Sequence, residues 1–194
     1  MIKKIIVLGV GARLNYCKDI LNSNKNFKIK YIQSEDFNKF IKYFNDFDGY
    51  FLASRNIIKI KNFLKEKRIN KKKFINVIHP TSYISCSAKI GINNIINAKS
   101  VINNNSLIGN FNMINTGAII EHNAVIKNFV TMAPGSIILG HAKIENSVFL
   151  GANSTIKETL KVGSDCIISA NSFLNKDLKK KSKFFGVGKI LKKI

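Results

Sequence analysis

The sequence predicts a two-part chain: a small α/β unit of alternating strands and helices, followed by a triangular parallel β-solenoid built from six-residue repeats. Three observations predict it. Every sixth residue from Ile78 to Leu174 is aliphatic or Met, seventeen positions in unbroken register. The first 77 residues show no such period and alternate strand-like with helix-like patterns instead. A chain of 194 residues that is 45% hydrophobic and 22% charged can bury a substantial core, which excludes a disordered chain.

In chain order, Lys4 to Gly9 is a β-rich run ending in glycine, and Ala12 to Ser23 places Leu14, Cys17, Ile20 and Leu21 at helical spacing. Phe27 to Ile32 alternates as a second strand, Phe37 to Phe44 is helical, and Tyr50 to Ala53 is strand-like. Asn56 to Lys67 carries Ile57, Ile60 and Leu64 on one helical face, and Phe74 to Ile78 reads as a last strand. Such alternation argues a small parallel sheet covered by helices over residues 1–77. His79-Pro80-Thr81 then leads into the repeats with almost no linker.

The repeat over residues 78–174 cannot be an α-helix, whose 3.6-residue turn smears a period of six around the axis, nor a plain strand, which buries every second residue. A triangular solenoid fits, with one inward aliphatic per face and three faces to a coil. Two places before the aliphatic the residue is mostly small, as at Ala118, Ala124, Ser136 and Ala142, and this suits a tight corner. Corners require left-handed backbone, and Gly91, Gly109, Gly151, Gly163 and the many Asn are expected to supply it. Residues 175–194 are lysine-rich, run to a hydrophobic Phe184-Phe185-Gly186-Val187-Gly188 stretch, and are expected to cap the last coil.

The formal charge of +21 is unevenly placed: +12 in residues 1–77, +2 in 78–174 and +7 in 175–194. The middle half is nearly neutral, and no aromatic-basic platform or helix-turn-helix is visible, so a nucleic-acid partner is not expected. Three widely spaced cysteines fit a reducing cytoplasm better than a disulfide framework or a zinc site. The apolar run Ile5 to Val10 is too short to span a bilayer and no signal peptide is evident, so a cytoplasmic protein with no membrane insertion is the expectation.

Titratable residues are scarce along the repeats. His122, in Ile120-Glu121-His122-Asn123, falls two places after an inward Ile, on an outward part of its hexad. Eighteen residues on, Gly140 should lie directly beneath it and His141 beneath Asn123. A neutral imidazole suits removal of a proton from an amine or hydroxyl as it attacks a thioester. His141 either lines the same groove or is simply solvated, the second being the expectation. His79 reads as a turn residue. The scattered Glu121, Glu145 and Glu158 form no carboxylate pair, and no Ser-His-Asp or Cys-His spacing argues for a covalent acyl-enzyme. Near the start, Gly9-Val10-Gly11 resembles the opening of a dinucleotide fingerprint, but Leu14 stands where its third glycine would be. A strand, a glycine turn and a helix N-terminus can still face a phosphate, with Arg13 as a positive partner.

Taken along its whole length, the chain resembles the bacterial sugar O- and N-acetyltransferases that join a small Rossmann-like domain to a left-handed parallel β-helix of hexapeptide repeats. The resemblance rests on the hexads, the glycine turn, the His79-Pro80-Thr81-Ser82 entry, Ile120-Glu121-His122, and the terminal Phe185-Gly186-Val187-Gly188-Lys189. It implies an acceptor-binding domain at 1–77, an acyltransferase domain at 78–174 and a cap at 175–194. It further implies direct transfer from acetyl-CoA to a nucleotide-linked amino sugar, with His122 as general base and no metal. Sugar O-acetylation of the sialic acid type is the near alternative. Asn123 stands where the N-acetyltransferase branch has a carboxylate, and it orients an imidazole without charge; Glu121 is a possible substitute.

The implied cofactor contacts are Thr131, Gly140, Ala152 and Ala170, in a groove between subunits of a homotrimer, and Thr131 replaces a histidine of that branch. The implied acceptor contacts are Gly11, Ala12, Arg13 and Leu14 in the first turn, Gln33 and Ser34 at the family's acidic pair, and Ser54 after the third strand. Other classes compete with this reading. A zinc enzyme on the same helix needs three histidine ligands, and the coils contain two. A polyanion binder and a catalytically inactive scaffold are the remaining alternatives.

Overall fold

The computed structural model describes residues 3–23, 27–43, 45–65, 69–186 and 189–193. The chain divides into two compact units, Met1–Val77 and Ile78–Ile194.

The first unit is built on a three-stranded parallel sheet. Its strands are β1 (Lys3–Gly9), β2 (Phe27–Gln33) and β3 (Gly49–Ala53), in the order β2-β1-β3. Ile5 to Leu8 of the central β1 are fully buried. Edge strand β2 alternates burial and exposes Lys28 and Lys30, charges that discourage a further strand from pairing there. Helix α1 (Gly11–Asn22) buries Leu14, Cys17, Ile20 and Leu21, the stripe its periodicity predicts.

The later elements are shorter than their patterns suggest. Helix α2 is a single turn, Asn38–Ile41, and α3 spans Ile57–Phe63 with Asn56 capping it through the Lys59 amide at 3.0 Å. Phe44, Glu66 and Lys67, expected inside these helices, lie outside the described residues. The expected strand from Phe74 to Ile78 is largely absent. Lys71–Lys73 form a 3₁₀ turn, Phe74 makes one isolated bridge to Tyr50, and Val77–Ile78 is a two-residue strand. Phe74 instead sets its ring edge-on to Tyr50 at 5.9 Å, and the Ile75 amide bonds the Tyr50 carbonyl at 3.0 Å. Those contacts cover the outer edge of β3, which is why all five of its residues are buried.

The second unit is a left-handed parallel β-solenoid of about six turns. Each face contributes a two-residue strand whose second residue points inward, and the strand pairs with the one eighteen residues on, as Ile119 with Ile137 and Ile120 with Ile138. The inward stack from Ile96 to Leu174 is buried throughout. At the open end of the first coil, Ile78 is 40% exposed and Ile84 and Ile90 are only partly covered. The small residues are buried in the corners, where Ser136 and Ser154 hydroxyls close the turn onto the carbonyls of Ala133 and Gly151 at 2.8 and 2.7 Å. Past Leu174, Ser182–Phe185 continues one face, and Leu178 and Phe184 join the core. Lys189–Lys193 pairs antiparallel with it, while Val187 and Gly188 of the terminal motif lie outside the described residues.

The glycine expectation needs correction. The left-handed corner falls three places after each inward residue from Ile90 to Ile168, where Asn93, Asn105, Asn123, Asn153 and Asn171 stand, with Gly117 and Gly135, and with residues as large as Phe111 and Phe129. Gly91, Gly109, Gly151 and Gly163 sit one place after the inward residue, and their φ is not positive. They are glycine for lack of space: at Gly109 a Cβ would come within 2.6 Å of the Lys127 carbonyl oxygen in the next coil.

Along one corner the coils are tied by buried amides. The Asn112 amide N–H bonds Asn94 Oδ1 at 2.8 Å and Val130 N–H bonds Asn112 Oδ1 at 2.7 Å, while Phe111 stacks on Phe129 at 5.3 Å. Near another, Asn97 Nδ2 donates to Asn115 Oδ1 at 3.0 Å and Asn115 Nδ2 to the Met132 carbonyl at 2.9 Å. These bonds satisfy groups that burial would otherwise leave unpaired. No helix among the described residues is long and apolar enough to cross a membrane.

Candidate active site

Three outward columns define the solenoid faces. One carries Tyr83, Val101, Ile119, Ile137, Thr155 and Phe173 and no charge at all. The next carries Lys89, Leu107, Val125, Lys143 and Lys161. The third runs Ile95, Met113, Thr131, Phe149, Ile167.

His122 stands on the corner that closes the uncharged face. Its column reads Cys86, Asn104, His122, Gly140, Glu158 from coil to coil. The corner is tied by three backbone bonds of one kind: Asn123 N–H to Asn104 at 3.0 Å, His141 N–H to His122 at 3.1 Å, and Thr159 N–H to Gly140 at 2.9 Å. The imidazole is exposed and lies over Gly140, where a Cβ would come 2.8 Å from Cε1 and 2.9 Å from Nε2. Glycine is thus required for the ring to take this position.

Asn123 reaches the other ring nitrogen, with its Nδ2 placed 3.0 Å from His122 Nδ1. The two ends of an amide exchange by a 180° flip without change of shape. With Oδ1 toward the ring, Nδ1 holds the proton and Nε2 is left with its lone pair, as a general base requires. Glu121 is not brought to the imidazole; its carboxylate has no hydrogen-bond or ion-pair partner among the described residues, although the Glu121 carbonyl accepts the Ser106 hydroxyl at 2.8 Å.

His141 is exposed, as expected, and it also stands beside His122. Its ring meets that of His122 edge to face, centroids 5.2 Å apart and planes at 86°. The signal for it was the spacing of nineteen residues, which sets neighbouring corner positions on successive coils. His79 accepts the Thr81 amide on Nδ1 at 3.1 Å, the turn role expected of it.

The other positions expected to contact the cofactor are split. Gly140 is under His122, whereas Ala152 and Ala170 stand one coil apart on the corner that opens the uncharged face, and Thr131 points outward from the adjoining face. In one chain, then, His122 and the alanine column occupy opposite edges of one face.

In the first unit the carboxyl ends of β1, β2 and β3 gather Gly11, Ser34 and Ser54. Gly11 has φ +63 and opens α1, with Ala12 exposed beside it. Gly9 lets β1 approach β3, since a Cβ there would run into the Ala53 carbonyl. Arg13 turns back across the sheet end, its guanidinium donating to the Ser54 carbonyl at 3.0 Å. Burial, with Arg55 nearby, pushes Arg13 down to about 10, so it stays charged at neutral pH. Leu14 does not join this cluster, because its side chain packs in the core at 2% exposure. Ser54 is equally buried, and its hydroxyl accepts the Asn56 amide.

Gln33 is exposed, and Ser34 turns inward on the strand end, its amide on the Gly9 carbonyl at 3.2 Å. Two acidic residues follow Ser34. Glu35 and Asp36, with Phe37, Asn38, Lys59, Asn62 and Phe63, line a cleft of about 500 Å³ in which Lys59 pairs with Glu35 at 3.2 Å.

Residues 141–176 match the bacterial transferase hexapeptide (six repeats) family. No curated protein sequence matches the chain. Among solved structures, the chain is similar to PerB from Caulobacter crescentus in complex with CoA and GDP-perosamine, at 21% identity and TM-score 0.81, covering 99% of each chain. It is similar also to the acetyltransferase domain of PglB from Neisseria gonorrhoeae in complex with acetyl coenzyme A, at 19% identity and TM-score 0.83, covering 97% of this chain and 99% of that one. WeeI from Acinetobacter baumannii matches at 19% identity and TM-score 0.77, over 97% and 100% of the two chains. At these identities the likeness establishes the fold, and it runs through both units.

Proposed function

We propose that this protein transfers an acetyl group from acetyl-CoA directly to the amine of a nucleotide-linked amino sugar, with His122 as the base. The observation that carries the reading is the seating of the His122 ring over Gly140 with Asn123 on Nδ1, at an exposed corner of a hexapeptide solenoid. PerB and the PglB domain, named for complexes with CoA, GDP-perosamine and acetyl coenzyme A, support the choice of substrates.

The chemistry follows from the ring. Nε2 takes the proton of the acceptor amine as the nitrogen attacks the thioester carbonyl. As the tetrahedral intermediate collapses, the carbon–sulfur bond breaks and the imidazolium returns its proton to the departing thiolate. Asn123 holds the tautomer but brings no charge to the imidazolium, so this base has a weaker partner than a carboxylate would be.

The first unit is read as a Rossmann-like acceptor site: a parallel sheet in the order β2-β1-β3 reverses direction beside β1, and ligands of such sheets sit at the carboxyl ends of the strands. Gly11, Ala12 and Arg13 serve a phosphate there, and the Glu35-Asp36 cleft serves the remainder of the nucleotide. A homotrimer is part of the reading. It gives the uncharged face, with Tyr83 58% and Phe173 37% exposed, a partner to cover it and the alanine column a second wall.

The test is thiol release from acetyl-CoA against a panel of nucleotide-linked amino sugars and sialic acids, which also separates amine from hydroxyl acceptors. His122→Ala is expected to keep the fold by circular dichroism and lose roughly 10²–10⁴-fold in kcat. A variant that turned over at the wild-type rate would remove His122 from the mechanism.

A further inference from the structure

The corner that presents His122 presents a second imidazole, and the proposed transfer does not use it. His141 follows Gly140, so its ring projects beside the space the glycine leaves for His122, centroids 5.2 Å apart at 86°. Both side chains are exposed, and the His141 backbone is held on the His122 carbonyl at 3.1 Å.

The charged groups around the pair are few. The preceding coil offers Asn103, Asn104 and Asn105. The pair's own coils contribute Glu121, half-buried with its carboxylate unpartnered, and the following coil sets Glu158 beneath Gly140 within 3.9 Å of Lys157, both exposed. Cys86 lies two coils away on the same column. Among the described residues, no carboxylate therefore meets either ring directly. When His122 takes the acceptor's proton, the neighbours that can stabilise the new charge are the Asn123 amide on Nδ1 and the His141 ring.

A neutral aromatic ring set at right angles to a cation offers that stabilisation through the complementarity of positive edge and negative face. We propose that His141 is a positioning residue for the transfer: its ring braces the His122 imidazole and stabilises the imidazolium formed there. The inference rests on His122 being the base.

Two substitutions test it without threatening the corner, because this protein already places Asn and Phe at the same left-handed position, as in Asn123 and Phe129. His141→Asn removes the ring and should lower kcat by roughly three- to thirty-fold with KM for both substrates unchanged. His141→Phe keeps an aromatic ring at the same place and should restore most of the rate. Equal kcat for wild type and His141→Asn, or a Phe variant no faster than the Asn variant, would overturn the role. A readout that does not depend on turnover is the NMR cross-relaxation between the ring protons of His122 and His141, whose centroids are 5.2 Å apart. Its absence in the wild-type protein would refute the contact. If the wild-type protein releases no thiol with any acceptor while the rings remain in contact, the assignment of the base fails and the pairing of the rings stands.

Discussion

Gly140 shows how little freedom the candidate site allows at the scale of a residue. Its hydrogen occupies the space in which a methyl group would press on Cε1 and Nε2 of His122, the far end of a flexible side chain rather than backbone. Gly140→Ala should therefore cost little stability and much turnover. The ring must swing aside, and a displacement of about 1 Å at a reacting group can cost about 10²-fold. Steady-state kcat with a thermal melt checks both halves; a full-rate variant would mean that the ring position does not matter. Much at this scale is not legible in the sequence. Coil arithmetic puts His141 next to the His122 position, but whether two rings meet depends on side-chain rotamers at a left-handed corner. The bond from Arg13 to the Ser54 carbonyl joins residues 41 apart, and nothing in either stretch announces it.

At the scale of the element, the coil is legible and the short helix is not. A coil has no internal alternative: its inward position must be apolar, and its strand bonds go to the strands eighteen residues before and after, so the pattern survives untouched over seventeen repeats. Helix α2 is one turn long, and no periodicity can bound so short a segment. The glycines mislead for a related reason. Two positions within the hexad favour them, one for a positive φ and one for close approach, and the residue type alone does not separate the two. What holds coil to coil beyond the ladder is the buried Asn network. Asn115→Ala would leave the Asn97 amide, 3% exposed, without the acceptor it now has at 3.0 Å. The expected loss is about 1–3 kcal/mol of unfolding free energy, measured by urea titration. A change near zero would show that water replaces the asparagine.

At the scale of the whole molecule, charge and exposure divide the solenoid into unlike sides. Lys89, Lys143 and Lys161 point outward from one face, while the face from Tyr83 to Phe173 has no charge along its column. If that face is covered by another copy of the chain, a single carboxylate in its middle should undo the assembly. Ile137→Glu is expected to shift the sedimentation coefficient from that of the assembly to that of one chain and to abolish acetyl-CoA binding with it. An unchanged coefficient in the variant would place the assembly surface elsewhere. The same arithmetic of six and eighteen makes the solenoid a combination lock. Removing eighteen residues shortens it by one coil and returns every later side chain to its own face. Removing six turns everything beyond the cut by one face, and it would carry Ala152 and Ala170 to a different corner while leaving the core pattern intact. Insertions and deletions that the fold tolerates are thus a larger class than those the site tolerates, and the difference between them is a factor of three in length.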